Sequence, residues 1–367
     1  MLGLGSNITS ISKVGTTIVT DNLVLRHDYK LKAVEPLSSG AASFNGTSDY
    51  IAINAKPVDT ADGTYCWWSN STQTASQTIF SHGSGTEIGA FHANYSTAGK
   101  PLLRLNSNLY QFWNDTGFAD DGKWHHWAVV VDVDDMTACK LYCDGVEIPQ
   151  SNRTTSETVA SYGNMRIGKD DDANEFDGYM CNFGVWSSHL SQAQVKSIMN
   201  KNYDSLSASE KTDLVSWWNL DETLGDKNIV LDKDGAIGEN LLANADFANG
   251  QDDWSGFGSG RLTLLNGVVT MDGTSGVAQL SQSILTNGST YEVEFTITDH
   301  NGDTTNSEII DNGGNSLFAI PGDGTYKIHF TLAYANANMV FRAKDGSVFS
   351  ISNISVKLVN GNHGTLS

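Results

Sequence analysis

The chain has 367 residues and carries 42 acidic against 22 basic side chains, a formal net charge of -20 that would repel nucleic acid and anionic membranes. Neutral soluble ligands and cations are the partners that such a surface admits. Glycine is frequent at 36 residues, proline is rare at 5 and 17% of residues are charged, a composition typical of short strands joined by turns, over a length that suffices for two domains with separate cores.

Residues 1–20 consist mainly of small and β-branched residues with little periodicity, which predicts an extended N-terminal arm that docks onto a neighbouring subunit. They contain no basic region followed by an apolar core, as a signal peptide would, and no run elsewhere approaches the length of a membrane span. We therefore expect any extracellular role to be reached without a recognisable secretion signal.

Short runs of β-branched and aromatic residues follow one another closely from residue 21 to residue 113. Their spacing is that of an antiparallel β-sandwich. The predicted strands are Asp21–Tyr29, Ala42–Ile53 as a turn-linked pair, Thr64–Trp68, Gln77–His82, Ile88–His92, Leu102–Leu105 and Leu109–Trp113.

The stretch from Lys123 to Ile148 is the centre of the first predicted domain. Two runs dominated by β-branched and aromatic residues, 123–132 and 140–148, flank an acidic break, and Asp144-Gly145 is a turn pair that suits a tight hairpin. This stretch is therefore predicted to form the middle of a β-sandwich.

Three further elements are predicted after this hairpin in the chain. Phe176–Trp186 predicts a strand, and Ser191 three residues before Gln194 is a capping box that predicts a short helix. The run Asp213–Glu222 predicts a strand added to the first sandwich.

The order Trp124-His125-His126, apolar strand, acidic break and Leu141-Tyr142-x-Asp144-Gly145 resembles the laminin-G/concanavalin A-like lectin family. The run from Phe44-Asn45-Gly46 to Tyr50-Ile51 resembles the opening motif of that family, and Phe176–Trp186 resembles its last strands. The resemblance implies a lectin-type β-sandwich over residues 21–222.

Residues 223–239 are polar and rich in Gly and Asp, which predicts a linker. Beyond it, Asn240–Phe247 with Trp254-Ser255 resembles the start of jelly-roll carbohydrate-binding modules, and Phe349–Leu358 resembles their closing strand. A second β-sandwich is therefore predicted over residues 240–360, where Tyr291–Thr298 alternates between apolar and polar residues.

The tail, residues 361–367, resembles the piece that follows a Trp-x-Leu-Asp-Glu strand in the lectin family. It is therefore predicted to return to the first domain, with the second domain as an insertion. The predicted fold class is all-β, with two β-sandwich (jelly-roll) domains and an extended N-terminal arm.

The cysteines and the adjacent histidines are predicted to have mainly structural roles. The four cysteines, Cys66, Cys139, Cys143 and Cys181, lie in or beside apolar runs and are predicted to be buried free thiols, with disulfides or a metal site as the alternatives. His125 and His126 are predicted to pack beside Trp124 and Trp127, because adjacent strand residues point to opposite faces and cannot bind one ion together.

A glycoside hydrolase of the laminarinase type on this fold would need two carboxylates about 5 Å apart, in a Glu-x-Asp-x-x-Glu pattern. Glu175 and Asp177 begin such a pattern, but Met180 occupies its third acidic position. No serine or cysteine lies in a recognisable nucleophile motif. We predict no enzymatic activity and no catalytic residues, with this type of hydrolysis as the alternative.

A structural calcium ion is expected from both resemblances, because Ca²⁺ takes six to eight oxygen ligands and sandwich loops supply them. Asn45-Gly46 and Asp177-Gly178 are expected to meet across paired strands. An acidic loop without an ion is the alternative. The predicted calcium ligands are Asn45, Gly46, Asp170, Asp172 and Asp177 in the first domain and Asn240 and Asp246 in the second.

Sugar binding requires an aromatic ring for the C–H face of the sugar and amide or carboxylate groups for its hydroxyls. Packing in the core or at the rim is the alternative for each aromatic residue. The predicted glycan-binding residues are Tyr95, Tyr110, Trp113, Asn114 and Asp115 in the first domain and Trp254 and Phe257 in the second.

An acidic, disulfide-poor chain of two lectin-type modules with a loose arm is similar to virion proteins of tailed bacteriophages. That similarity implies a non-enzymatic capsid decoration protein or tail-associated adhesin, assembled in the host cytoplasm and displayed on the virion surface. Its expected partners are host or environmental glycans and, through the arm, other virion proteins, without nucleic acid or membrane insertion. A secreted or cell-surface carbohydrate-binding protein and a purely structural subunit are the alternatives, and a homo-oligomer stays open.

Overall fold

The computed structural model describes residues 36–53, 55–58, 62–83, 89–95, 100–105, 109–154, 163–170, 174–221, 229–235, 237–257, 260–311, 313–332 and 338–366. The predicted arm, residues 1–20, and the predicted strand Asp21–Tyr29 lie outside these residues.

The described residues form antiparallel sheets in two modules, which confirms the predicted all-β fold class. The strands of the first module are β1 Ala42–Asn45, β2 Ile51–Ile53, β3 Gly63–Asn70, β4 Gln77–His82, β5 Gly89–Tyr95, β6 Lys100–Arg104, β7 Tyr110–Trp113, β8 His125–Val131, β9 Lys140–Cys143, β10 Val146–Ile148, β11 Gln150–Arg153, β12 Met165–Ile167, β13 Asp177–Trp186, β14 Leu214–Trp218 and β15 Ile229–Val230. The strands of the second module are β16 Ile237–Asn240, β17 Leu262–Leu265, β18 Val268–Asp272, β19 Ala278–Ser283, β20 Thr290–Thr298, β21 Ser307–Asp311, β22 Ser316–Ala319, β23 Gly324–Thr331, β24 Asn338–Ala343 and β25 Val348–Val359, and β26 Gly364–Leu366 belongs to the first module again.

Two sheets face each other in the first module. One has the order β1-β13-β3-β8-β9-β10 with β14 also paired to β13, and the other has the order β11-β7-β6-β5-β4-β12-β2-β26-β15. Trp67 of the seven-stranded sheet packs on Phe80 and Phe91 of the nine-stranded sheet, at centroid distances of 6.2 and 5.2 Å. These aromatic side chains form the centre of the core.

Strand β8 is buried on both faces, which explains its uninterrupted apolar sequence. Trp127, Val129 and Val131 face the core between the sheets, whereas Ala128 and Val130 pack under the helix. That helix, α1 Gln192–Ile198, begins after Ser191, whose capping box with Gln194 confirms the sequence prediction. A 3₁₀ turn, Tyr203–Ser205, follows it. No described helix is long and apolar enough to span a membrane.

The second module also consists of two sheets. Their strand orders are β17-β18-β25-β20-β23, with β16 paired to β25, and β19-β24-β21-β22. On β20, Phe295 lies 5.6 Å from Phe341 of β24 between ring centroids, so side chains of both sheets share one core.

Two crossings of the chain join the modules. Residues 231–235 lead from β15 to the second module, and residues 360–363 lead from β25 back to β26, which lies between β2 and β15. We call these two segments the neck. The tail therefore pairs with strands of the first module, and the segment 223–239, predicted as a linker, contains β15 and most of β16 because each of these short strands finds a partner in one module.

All four cysteines are buried and free, as predicted. Burial raises the pKa of the Cys139 thiol to about 12, although a hydrogen bond with the backbone of Asp132 lowers it. The nearby carboxylates of Asp132, Asp135 and Asp62 raise this pKa further. These thiols are protonated near neutral pH.

Candidate functional site

The outward face of the nine-stranded sheet carries a group of half-buried aromatic side chains. On β7, alternation turns Trp113 into the core, where its ring lies 6.3 Å from that of Phe91. Tyr110 and Phe112 therefore point away from the core, and both are half-buried.

Tyr95 joins this group through an irregularity in its own strand. The pairing of β5 with β6 shifts register between His92 and Tyr95, so two residues three apart come to lie on the same face. The Tyr95 ring lies 5.0 Å from the His92 ring and 6.1 Å from the Phe112 ring, and Phe112 lies 5.5 Å from Tyr110 in an edge-to-face contact. We call Tyr110, Phe112 and Tyr95 the aromatic row.

Polar side chains flank the aromatic row on the neighbouring strands. Asn152 of β11 pairs directly with Phe112, Arg104 of β6 with Tyr110, and Lys100 with Tyr95, and directly paired residues project to the same face. A cavity of about 410 Å³ lies along β11 and is lined by Gln111, Gln150, Ser151, Asn152 and Arg153. Rings beside amides are the arrangement that a sugar requires.

A buried polar cluster lies beneath the row. His92 Nδ1 is 3.0 Å from Thr78 Oγ1, and its Nε2 is 3.8 Å from Asp170, which accepts a hydrogen bond from the Asn174 amide. Burial lowers the pKa of His92 to about 4 although Asp170 raises it, so this imidazole is neutral near neutral pH. A neutral histidine here supports the row without adding charge.

The structure separates the predicted glycan-binding residues of the first module. Tyr95 and Tyr110 come together through Phe112, whereas Trp113 has no exposed surface and cannot serve as a platform, which corrects that prediction. Asn114 and Asp115 are exposed in the turn after β7, where Asp115 accepts a hydrogen bond from the Gly117 amide at 2.8 Å.

The predicted glycan-binding residues of the second module lie mostly in its core. Trp254 is 7% exposed, stacks on Phe247 at 5.1 Å and donates its indole N–H to the Asn244 carbonyl. That burial corrects the prediction for Trp254, because neither ring face is open to a ligand. Phe257 is half-buried and packs against the same core.

The predicted calcium motifs do meet across paired strands, since Asn45 of β1 lies opposite Asp177 of β13 and a side chain at Gly46 would clash with Asp177. The structure, however, uses Asn45 to close its own turn. Asn45 Oδ1 accepts from the backbone amides of Thr47, Ser48 and Asp49. A calcium ion at Asn45 would have to displace these donors.

The remaining predicted calcium ligands are dispersed. Asp170 is buried next to His92, and Asp172 lies outside the described residues. In the second module, Asn240 Oδ1 accepts from the Val356 and Leu242 amides, and Asp246 lines a cavity of about 460 Å³ together with Asn353. Calcium binding therefore stays a prediction.

One carboxylate, in the turn between β9 and β10, holds that turn against the start of β8. Asp144 Oδ1 accepts from the His126 backbone amide at 2.9 Å, and its Oδ2 lies 2.7 Å from His125 Nδ1. Burial lowers the pKa of His125, but Asp144 and Asp121 outweigh that effect, and the pKa is raised overall. His126 lies on the other face, and burial lowers its pKa to about 3 although Asp144 raises it. The side chains of the two histidines therefore point to opposite faces, and their pKa values shift in opposite directions.

The sequence interpretation missed Phe112 and Asn152. Alternation along β7 already places Phe112 on the same face as Tyr110 and Trp113 on the opposite one, so Phe112 was identifiable. Asn152 was not, because its place beside Phe112 depends on the β7–β11 pairing.

Comparison with known proteins agrees with this architecture. A family model described as the concanavalin A-like lectin/glucanases superfamily (Laminin_G_3) matches residues 45–196, and the first module has this lectin-like fold. No curated protein sequence matches the chain.

Three solved structures illustrate the similarity. A native heptameric SAP-like pentraxin from Limulus polyphemus is 17% identical, with a TM-score of 0.35, covering 43% of this chain and 80% of its own. Domain 4 of an extracellular arabinanase from Geobacillus stearothermophilus, in complex with arabinotriose, is 19% identical, with a TM-score of 0.34 and coverages of 44% and 76%. The CBM40 of an IT-sialidase from Ruminococcus gnavus is 18% identical, with a TM-score of 0.34 and coverages of 44% and 97%. At these identities and scores, the likeness identifies no ligand for this chain.

Proposed function

We propose that the protein binds glycans, without cleaving them, through the aromatic row on the nine-stranded sheet. The observation that carries this proposal is the continuous contact of Tyr110, Phe112 and Tyr95 on an outward face, with Asn152 beside the central ring. Ring faces suit the C–H surface of a sugar, and the amide suits its hydroxyls. A neutral or weakly charged saccharide also fits a chain of net charge -20.

The experiment is a glycan array followed by titration of the best ligand. Phe112→Ala removes the central ring and is expected to weaken binding at least about tenfold, or ~1.4 kcal/mol. Tyr179→Ala is the matched control, because Tyr179 is an exposed aromatic residue on the seven-stranded sheet. Equal affinity of both variants and the unchanged protein would refute the proposed site.

The surroundings of Glu175 and Asp177 support a role without hydrolysis. Glu175 is paired with Lys169 at 3.1 Å, and Met180, at the third position of the hydrolase pattern, is fully buried in the core. A retaining hydrolase needs two carboxylates facing one bond, one of them protonated. Measuring the viscosity of a β-glucan solution tests this, and a fall that Glu175→Gln abolishes would establish the laminarinase-type alternative.

We further propose that the protein is displayed on the surface of a tailed-bacteriophage virion, as a decoration protein or adhesin. The supporting features are the acidic net charge, the free cysteine thiols and the first 20 residues, which show little hydrophobic periodicity. Deleting residues 1–20 is expected to release the protein from purified particles while its glycan binding persists. A chain that stays bound without these residues would contradict the anchoring role.

A further inference from the structure

Three different metal-binding side chains converge where the first residue of β8 meets the end of β9 and the turn that leads to β10. One ligand atom each of His125, Cys143 and Asp144 lies within 4.8 Å of the other two, and among the described residues this is the one such group of histidine, cysteine and acidic side chains. We propose that these three residues bind one Zn²⁺ ion, with water in the fourth coordination position. This site is separate from the aromatic row and does not depend on its function.

The donor set selects the metal. A thiolate, an imidazole nitrogen and a carboxylate oxygen suit Zn²⁺, whereas Ca²⁺ and Mg²⁺ take oxygen ligands. Tetrahedral coordination at about 2.0–2.3 Å separates ligand atoms by roughly 3.3–3.8 Å, so atoms already within 4.8 Å need only small side-chain shifts. Binding releases the thiol proton and the proton on His125 Nδ1 to solvent.

The pairing of the strands explains why the three side chains meet. Cys143 lies directly opposite Trp127 and on the same face, and His125 is two residues before Trp127, so alternation turns it to that face as well. Asp144 follows Cys143 at a φ of 50°, which bends the chain and turns its carboxylate back to His125. Regular pairing and a tight turn thus assemble the ligands without a loop.

The surrounding groups already have the roles that outer-shell residues take at zinc sites. A zinc-bound histidine usually donates its other ring N–H to a carboxylate, and Asp121 lies 3.3 Å from His125 Nε2. The His126 amide fixes the second oxygen of Asp144 at 2.9 Å, and Phe118 stacks on the imidazole at 4.8 Å. His125, Asp144 and Asp121 are 10, 22 and 19% exposed in their side chains, so ions can reach them from solvent.

A hydrogen bond between His125 and Asp144 would also hold the β9–β10 turn against the start of β8 without any metal. That structural role requires no thiol. The thiol of Cys143 is therefore the group whose involvement distinguishes a zinc site from a simple histidine–carboxylate pair.

The test is titration of the purified, chelator-treated full chain with Co²⁺, which reports a thiolate ligand through near-ultraviolet charge-transfer absorption. We expect one Co²⁺ per chain with that absorption, and its displacement by Zn²⁺. Cys143→Ser should abolish the absorption and weaken binding more than about 100-fold, and Asp121→Asn should weaken it about tenfold. Cys139→Ser is the matched control, because Cys139 is equally buried and free beside the same strand.

Circular dichroism of each variant verifies folding, and His125→Gln replaces Cys143→Ser if the latter does not fold. Loss of the absorption in the folded ligand variant but not in Cys139→Ser supports the site. Absence of the absorption from the unchanged protein overturns it, as does an absorption that the ligand variant retains. Co²⁺ bound without the absorption, for example at the exposed His189 beside Asp62, counts equally against it.

Discussion

Asp232 and Asn362 are separated by 130 residues, yet Asp232 Oδ2 accepts a hydrogen bond from the Asn362 backbone amide at 2.9 Å. The other oxygen of Asp232 accepts from the backbone amides of Trp217 and Asp234. One carboxylate, 3% exposed, therefore links both crossings of the neck to strand β14.

Replacing this carboxylate should loosen the neck. Asp232→Asn puts an amide N–H against one of the backbone N–H groups, and we expect the free energy of unfolding to fall by about 2 kcal/mol. Chemical denaturation measures this, with Asp134→Asn, at an exposed aspartate, as the control. Equal losses in both variants would show that the Asp232 bonds contribute nothing to stability.

His363 should make the neck sensitive to acid. Its Nδ1 accepts the Asp232 backbone N–H and its Nε2 donates to the Val359 carbonyl, each at 3.1 Å, an arrangement that only the neutral ring allows. Burial lowers the pKa of His363, and His329 lowers it further. The hydrogen bond to the Val359 carbonyl and the Asp232 carboxylate raise it, but their effect is smaller.

Because the pKa of His363 in the folded protein lies below the unfolded value of about 6.5, the unfolded chain binds more protons as the pH falls. Stability is therefore fully present above that value and decreases below it. His363→Asn keeps an acceptor for the Asp232 amide but does not titrate. We expect its unfolding free energy to fall less steeply between pH 6.5 and 5 than that of the unchanged protein, and parallel profiles would contradict this role.

The tail should be indispensable to the first module. A chain that ends at residue 360 lacks β26, which lies between β2 and β15, and so exposes the backbone of β2. We expect that truncation to abolish folding of the first module. Replacing residues 236–360 by a short Gly/Ser turn should preserve the folding of the first module, because the two ends of the removed segment lie close together. A Cβ built on Gly361 would lie 3.0 Å from the Cα of Gly235. Tryptophan fluorescence and thermal unfolding compare the two chains, and a stable chain 1–360 would disprove the prediction.

Asn45 should act through its turn and not through calcium. Since Asn45 Oδ1 accepts three backbone amides, Asn45→Ala is expected to cost about 1 kcal/mol of stability. The cost should be the same in Ca²⁺ and in a chelator, as measured by thermal unfolding. Asn114→Ala, at another exposed asparagine, is the control. A cost that appears only with Ca²⁺ would restore Asn45 as a ligand.

Local signals predicted much of the fold. Asp144 and Gly145 both have positive φ, 50° and 73°, as expected of a hairpin turn with this pair of residues. The capping box at Ser191 likewise specified where α1 begins. In both cases the determining contacts lie within a few residues, so the sequence contains them directly.

Contacts between distant strands explain what the sequence did not predict. Asp170 belongs to an acidic segment, yet it is buried beside His92 because β4 lies between β5 and β12 and brings those segments together. The aromatic row depends in the same way on the register shift between β5 and β6, which no pattern of residues in the sequence predicted. Burial and register of this kind follow from pairing across the sheet.

The two crossings of the neck also determine how the second module responds to pulling and to proteases. A module joined at one end moves freely once its single tether yields, whereas tension here divides between two adjacent segments that Asp232 holds together. A single cut in either crossing would leave the module attached through the other. Under flow or shear, the second module should therefore detach only after both segments have failed.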